Sequence, residues 1–245
     1  MVIMTREEIK AKSKNDLGGE LFGNKWLSAV LVVFIFSMLT SFGSVSNNED
    51  YQVTLPPSMV QIFNIIIIVS AVIGTILWLV FLPLQYGAAK NFLNVTRGEK
   101  SQVGTLFHGY KENLKQNFLS AFMTNLYISL WSLLFVIPGL VKMYSYAMTQ
   151  YIRNEYPTTT WQEAITRSRE MMDGYKMQLF LLDLSFIGWY IVGALCLGVG
   201  TLWVSAYHLT ARANFFNEIS GYNYRVKKAM EEEQLKAQIA PTEEI

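Results

Sequence analysis

Four runs almost free of charge punctuate the chain: Trp26 to Phe42, Met59 to Leu82, Asn117 to Ile137 and Met177 to Leu197. Each approaches the roughly 20 apolar residues that a helix needs to cross hydrocarbon. Two shorter stretches, Leu140 to Ile152 and Thr201 to Phe216, follow Pro138-Gly139 and Gly198-Val199-Gly200, where proline and glycine stop a helix and let the chain reverse. Read as the second arms of tight hairpins, they predict an all-α, polytopic helical membrane protein with six transmembrane helices arranged as three hairpins. The hairpins occupy residues 26–99, 104–155 and 160–218 of a membrane domain 26–218, between an amphipathic N-terminal segment (1–25) and a C-terminal tail (219–245). A four-helix arrangement, in which the two weak stretches do not cross, is the alternative.

The cations discriminate between the two, because Lys and Arg in short loops are retained on the cytoplasmic side. Arg6, Lys10, Lys12, Lys14 and Lys25 precede the first run; Lys90, Arg97, Lys100, Lys111 and Lys115 lie between the second and third. Arg153, Arg167, Arg169 and Lys176 follow the fourth, and Arg212, Arg225, Lys227, Lys228 and Lys236 belong to the last run and the tail. Six helices put all of these on one side and leave only Lys142, which is expected to snorkel outward. The expected outer loop Gly43 to Ser58 has no Lys or Arg but carries Glu49, Asp50 and Pro56-Pro57. Four helices would place the group around Arg167 outside, so six are preferred, with both termini cytoplasmic. The fourth helix is polar enough to lie on the surface or to re-enter.

Composition agrees, with 51% hydrophobic against 16% charged residues and a formal charge of +1. A balanced charge supplies no field for nucleic acid, and the local basic clusters flank apolar runs, where anionic lipid headgroups are the expected partners. The single Cys196 excludes an intrachain disulfide and a Cys-rich metal site. No small-residue cleavage site follows the first run, which is therefore read as an uncleaved helix.

Several polar signatures recur. Gly109-Tyr110-Lys111 reappears as Gly174-Tyr175-Lys176, and Arg97-Gly98-Glu99, Arg153-Asn154-Glu155 and Asn217-Glu218 each follow an apolar run. Thr5-x-x-Glu8 and Thr160-x-x-Glu163 have the spacing of a capping box, and each leads to a basic-Ser-basic triplet, Lys12-Ser13-Lys14 or Arg167-Ser168-Arg169. Repeated cytoplasmic helices leading into membrane hairpins are the implied plan. Trp161, Ala164, Ile165, Ser168 and Met172 share one face of the predicted helix, which is expected to rest on the inner membrane surface or to pack against other cytoplasmic segments.

Arg97-Gly98-Glu99, Gly174-Tyr175-Lys176 and the stretch Leu181-Leu182-Asp183-Leu184-Ser185-Phe186-Ile187-Gly188-Trp189 through Gly198-Val199-Gly200-Thr201-Leu202-Trp203 resemble the DUF975 family of bacterial membrane proteins. The resemblance implies a multi-pass protein of the bacterial cell membrane. It implies no reaction and no site residue.

Chemistry is sparse. His108 and His208 are the only histidines, and neither has zinc-site spacing, so no metal and no cofactor are expected. No Gly-x-Ser-x-Gly elbow, Ser-Lys pairing or phosphate-cradling loop is present, and the chain is read as non-enzymatic. The sharper signal is charge within apolar runs, which is costly in hydrocarbon unless paired. Asp183 and Arg212 lie at similar depths in the last two runs, roughly 9 Å from their cytoplasmic ends at 1.5 Å per residue. They are expected to form an intramembrane polar pair, structural or part of a polar path that includes His208 and Asn125. The expected function is a membrane scaffold or regulatory partner of the cell envelope, with a membrane protein as partner; the alternative is a small transporter or channel whose polar path runs between hairpins.

Overall fold

A computed structural model of the chain describes residues 4–19, 23–41, 57–196 and 198–222, and these contain helices and no strands. Most of the expected outer loop, residues 42–56, and the tail after Tyr222 lie outside the described residues.

Each expected segment has a helical counterpart, but several are broken. The first run is α1's successor: α1 is Arg6–Asp16, and α2, Asn24–Ser41, covers the apolar stretch. The second run is α3, Pro57–Phe81, which stops at a turn through Leu82 and Pro83 before the buried helix α4, Leu84–Thr96. Two single-turn helices, α5 (Val103–Leu106) and α6 (His108–Lys111), lead into α7, Leu114–Leu134. Then come α8 (Val136–Ser145), α9 (Thr149–Glu155), α10 (Trp161–Met171), α11 (Lys176–Leu184), α12 (Ile187–Leu195) and α13 (Gly200–Ile219).

Six full spans are not confirmed by this geometry. Among the described residues, two stretches, Asn64–Phe81 and Lys176–Leu195, are long and apolar enough to cross a membrane. The stretch Leu140 to Ile152 is not one helix: α8 ends after Ser145, Tyr146–Met148 form turns, and α9 starts afresh. The fifth run is divided by a turn at Ser185–Phe186 into α11 and α12. That break has no proline or glycine to announce it. It is held from outside, by Lys10 of α1, whose Nζ donates to the Ser185 carbonyl at 3.1 Å.

The architecture divides into a body and three apolar hairpins, α2–α3, α7–α8 and α12–α13. In the body, α13 packs against α1, α2, α4, α11 and α12. Leu17, Phe92, Leu182, Ala211, Phe215 and Phe216 are buried in this core. The helices α1 and α10 begin with complete capping boxes, in which Thr5 and Thr160 accept from the Glu8 and Glu163 amides and the glutamates bond back. The serine of each basic-Ser-basic triplet is fully buried: Ser13 donates to the Ile9 carbonyl, and Ser168 donates to the Ser145 carbonyl while accepting from the Met148 amide. The apolar stripe of α10 packs on α7 and α9, burying Ala164, Ile165 and Met172, so of its two expected roles it takes the second.

Outside the body the apolar side chains turn outward. In α3, Ile62, Ile65 to Val69, Val72, Ile73, Ile76 and Val80 are exposed, as are Leu133 to Ile137 at the α7–α8 turn and Ile187, Trp189, Ile191, Val192 and Leu195 of α12. Small residues close the hairpins, as they do where helices must approach without a hydrophobic drive. A Cβ on Gly193 would lie 2.9 Å from the Gly200 carbonyl carbon and the Thr201 amide nitrogen. Gly193→Val is therefore expected to splay α12 from α13 and lower stability by about 1 to 3 kcal/mol in thermal unfolding of the detergent-solubilised protein. Gly188→Ala, with open space around its Cβ, should be neutral or gain up to about 1 kcal/mol from helix propensity. Equal losses at both positions would contradict the close-packing argument.

Candidate functional site

The root of the third hairpin gathers the ionisable groups of the last two runs. Asp183 is in the last turn of α11, beside the Ser185–Phe186 break, and α13 brings His208 and Arg212 one turn apart onto the facing side. Arg212 grips the carboxylate with two nitrogens: Nε donates to Oδ1 at 3.1 Å, and Nη2 donates to Oδ2 in a close contact. This fork is the geometry that makes Arg–carboxylate pairs strong. His208 Nε2 lies 2.7 Å from the same Oδ1, and its Nδ1 lies 3.1 Å from the Tyr190 hydroxyl. Because Asp183 accepts at Nε2, a neutral ring carries its proton there and leaves Nδ1 to accept from Tyr190. Phe186 stacks on the imidazole with centroids 4.7 Å apart, and the Lys10 ammonium lies over the Phe186 ring, 4.7 Å from its centroid.

Asp183, His208 and Arg212 are thus brought together, and Asn125 is not. Asn125 Nδ2 donates at 2.8 Å to the Ala121 carbonyl of its own helix α7. Lys142 places Nζ 4.8 Å from the Trp131 ring centroid rather than at a free outer end. His108 lies in α6, away from His208, and among the described residues no group of three or more His, Cys, Asp or Glu could hold a metal. Cys196 is exposed with a free thiol at the α12–α13 turn.

Two further polar clusters were read in the sequence only as retained charge. Arg153 of α9 is 1% exposed. Its Nη1 donates to the carbonyls of Pro157, at 3.2 Å, and Thr159, and its Nη2 donates to Asn117 Oδ1 at 2.7 Å. Asn117 in turn donates to the Gly109 carbonyl, so one guanidinium ties α9, the loop after it and the start of α7. Beside it the recurring triplets converge: Arg97 Nη2 lies 2.6 Å from Glu155 Oε2 and 3.4 Å from Asn217 Oδ1, and Asn217 Nδ2 donates to Thr96 at 2.8 Å. The recurrence was the available signal. What it encodes is mutual pairing of the ends of α4, α9 and α13.

At the opposite edge of α4, Glu112 accepts from Lys90 at 3.1 Å and from the Tyr86 hydroxyl at 3.0 Å. Burial raises the Glu112 carboxyl, but the hydrogen bonds from Lys90 and Tyr86 outweigh it and hold the group below its ordinary value near 4.5. Burial, followed by the Glu112 contact, pushes the Tyr86 phenol up. For a carboxyl lowered in the folded state, the stabilisation is present above the unfolded value and is lost as pH falls through the folded one. Wild type should therefore lose this contribution on acidification below its ordinary value of about 4.5. Glu112→Gln should start lower at neutral pH and converge with wild type in acid, as read by melting temperature against pH. Parallel curves would show that the carboxylate contributes nothing.

What this set of residues can do chemically is bind charge to charge through Asp183 and Arg212 and hold exchangeable protons on His208 and Tyr190. No curated protein and no solved structure is significantly similar to the chain. Residues 135–223, from the turn before α8 through the end of α13, match the family described as protein of unknown function (DUF975).

Proposed function

We infer that this is a non-enzymatic integral membrane protein of the bacterial cell envelope, acting as a scaffold or regulatory partner for another membrane protein. Both ends face the cytoplasm, as the placement of Lys and Arg requires. The observation that carries the reading is the division of surface. Large apolar side chains of α2, α3, α7, α8 and α12 face outward, and extended exposed apolar surface marks a membrane or protein contact. The buried polar groups of the body meanwhile bond to one another, Asp183 to Arg212, Arg97 to Glu155 and Arg153 to Asn117, an arrangement that fixes helices. Exposed basic residues of α1 and α10 favour contact with anionic headgroups.

A transporter with a polar path is the second reading, favoured by the Asp183–His208–Tyr190 chain of proton-bearing groups. Gentle detergent extraction and purification of the full chain separates the two. A second protein at stoichiometric ratio is the expected result; a bound small molecule in its place would favour transport and sink the scaffold.

A further inference from the structure

We propose that the α7–α8 and α12–α13 hairpins are half-depth wedges, entering and leaving the bilayer through the cytoplasmic leaflet, and that the protein consequently favours membrane that is convex on that side. The inference rests on the membrane reading above and concerns how deep the hairpins go.

Two water-facing helices mark where hydrocarbon can begin. Along α10, Gln162, Glu163, Thr166, Arg167, Arg169 and Glu170 are exposed, and the same helix reaches Ser145 and Met148 through Ser168. Along α1, Arg6, Glu7, Glu8, Lys14 and Asn15 are exposed, and Lys10 bonds the carbonyl of Ser185. Water therefore reaches the level of Ser145 on the second hairpin and of Ser185 on the third. Aromatic pairs of the kind that sit at headgroups occupy the same levels: Tyr127 with Tyr146, ring centroids 6.2 Å apart, and Trp26 with Tyr207, 6.1 Å apart.

Above those levels little length remains. From Tyr127 to Phe135 a helix rises about 12 Å, and from Phe186 to Leu195 about 14 Å, against a hydrocarbon thickness of about 30 Å. The α3 stretch Asn64–Phe81 has 18 residues, about 27 Å at the same rise, and is matched to the full core, whereas the 20-residue stretch Lys176–Leu195 keeps its first part, α11, below the level at which α1 meets Ser185. The chemistry of the turns agrees with their shortness. A turn that emerges into water is polar, whereas the α7–α8 turn is Leu133, Leu134, Phe135, Val136 and Ile137, each between 64% and 83% exposed. Leu195 and Val199 at the other turn are 80% and 57% exposed. These tips suit acyl chains. Lys142, the cation on the second hairpin, is offset by its ammonium lying over the Trp131 ring, 4.8 Å from the centroid.

Both wedges are narrow and rigid, because α7 meets α8 at Gly139, where a Cβ would lie 2.3 Å from Ser132 Oγ, and α12 meets α13 at Gly193. Paired rigid inserts confined to one leaflet expand that leaflet alone, and insertion of this kind is sensitive to curvature. Re-entry also keeps every connecting segment on the cytoplasmic side, where the Lys and Arg residues already are.

The full chain is tested with Cys196 replaced by Ser and single cysteines at Leu134 or Leu195. In sealed vesicles neither cysteine should react with an impermeant maleimide added to either side, and both should react with a membrane-permeant one. In tubes drawn from a giant vesicle with the cytoplasmic face outward, the protein density per lipid should exceed that of the flat membrane. Labelling from the outer side means that the hairpins cross and overturns the proposal; so does cross-linking of the tips to a second copy, or equal density in tube and flat membrane. Release of the whole protein by alkaline carbonate is a different failure, which removes the membrane reading itself.

Discussion

Replacing Asp183 by leucine is expected to cost about 3 to 5 kcal/mol, because it leaves the Arg212 guanidinium without its carboxylate partner in a partly buried root. Both Arg212 bonds and the His208 contact end on this one carboxylate. Arg212→Leu should cost less, since His208 remains on Asp183 Oδ1. The double replacement should recover most of the stability, because desolvation of both charges is relieved together. Melting of the four proteins in detergent, with the cellular phenotype alongside, reads the outcome. Recovery of stability and phenotype marks a structural pair. Recovery of stability alone marks groups needed by a path or a partner. If neither single change moves the melting temperature, the pair does not hold α11 to α13.

Arg153→Ala should be comparably severe, with a loss of at least about 3 kcal/mol. The reason differs, because here the cation is bonded to carbonyl oxygens and an amide. Its removal strands the Thr159 carbonyl and Asn117 Oδ1 in the body. Arg153→Lys should recover less than half of the loss, since one ammonium cannot present the planar fork that reaches both. Thermal unfolding checks both variants, and a loss below about 1 kcal/mol for Arg153→Ala would show that water replaces the guanidinium.

The sequence made some of this readable and hid the rest for identifiable reasons. The ends of α2 and α3 lie within two residues of the apolar runs that predicted them, because a run without charge followed by Pro or Gly is a local signal. Both capping boxes form, for the same reason. Asp183 and Arg212 pointed to each other because an ionisable side chain in an apolar run demands a partner. The break at Ser185 was not readable, and the Lys10 side chain that bonds its carbonyl comes from 175 positions away in sequence. Arg153 was counted as a charge that fixes sidedness, and its burial depends on Asn117 and on the loop at Thr159. Asn125 looked available because the carbonyl it bonds belongs to its own backbone, a use that no spacing pattern distinguishes.

The position of α13 at the centre of the body has a consequence for biosynthesis. Every helix it packs against, α1, α2, α4, α11 and α12, leaves the ribosome earlier. Until residues 200–219 emerge, the faces of α1 and α4 that pack on α13 lack that partner, although α4 also packs on α5, α6 and α9. The early hairpin must therefore insert while its cytoplasmic base is still open, and the nascent chain presents apolar surface to the holding machinery of the cell throughout that interval. A ribosome stalled just before Gly200 should leave a chain whose N-terminal helix is open to protease, and extension through Ile219 should close it.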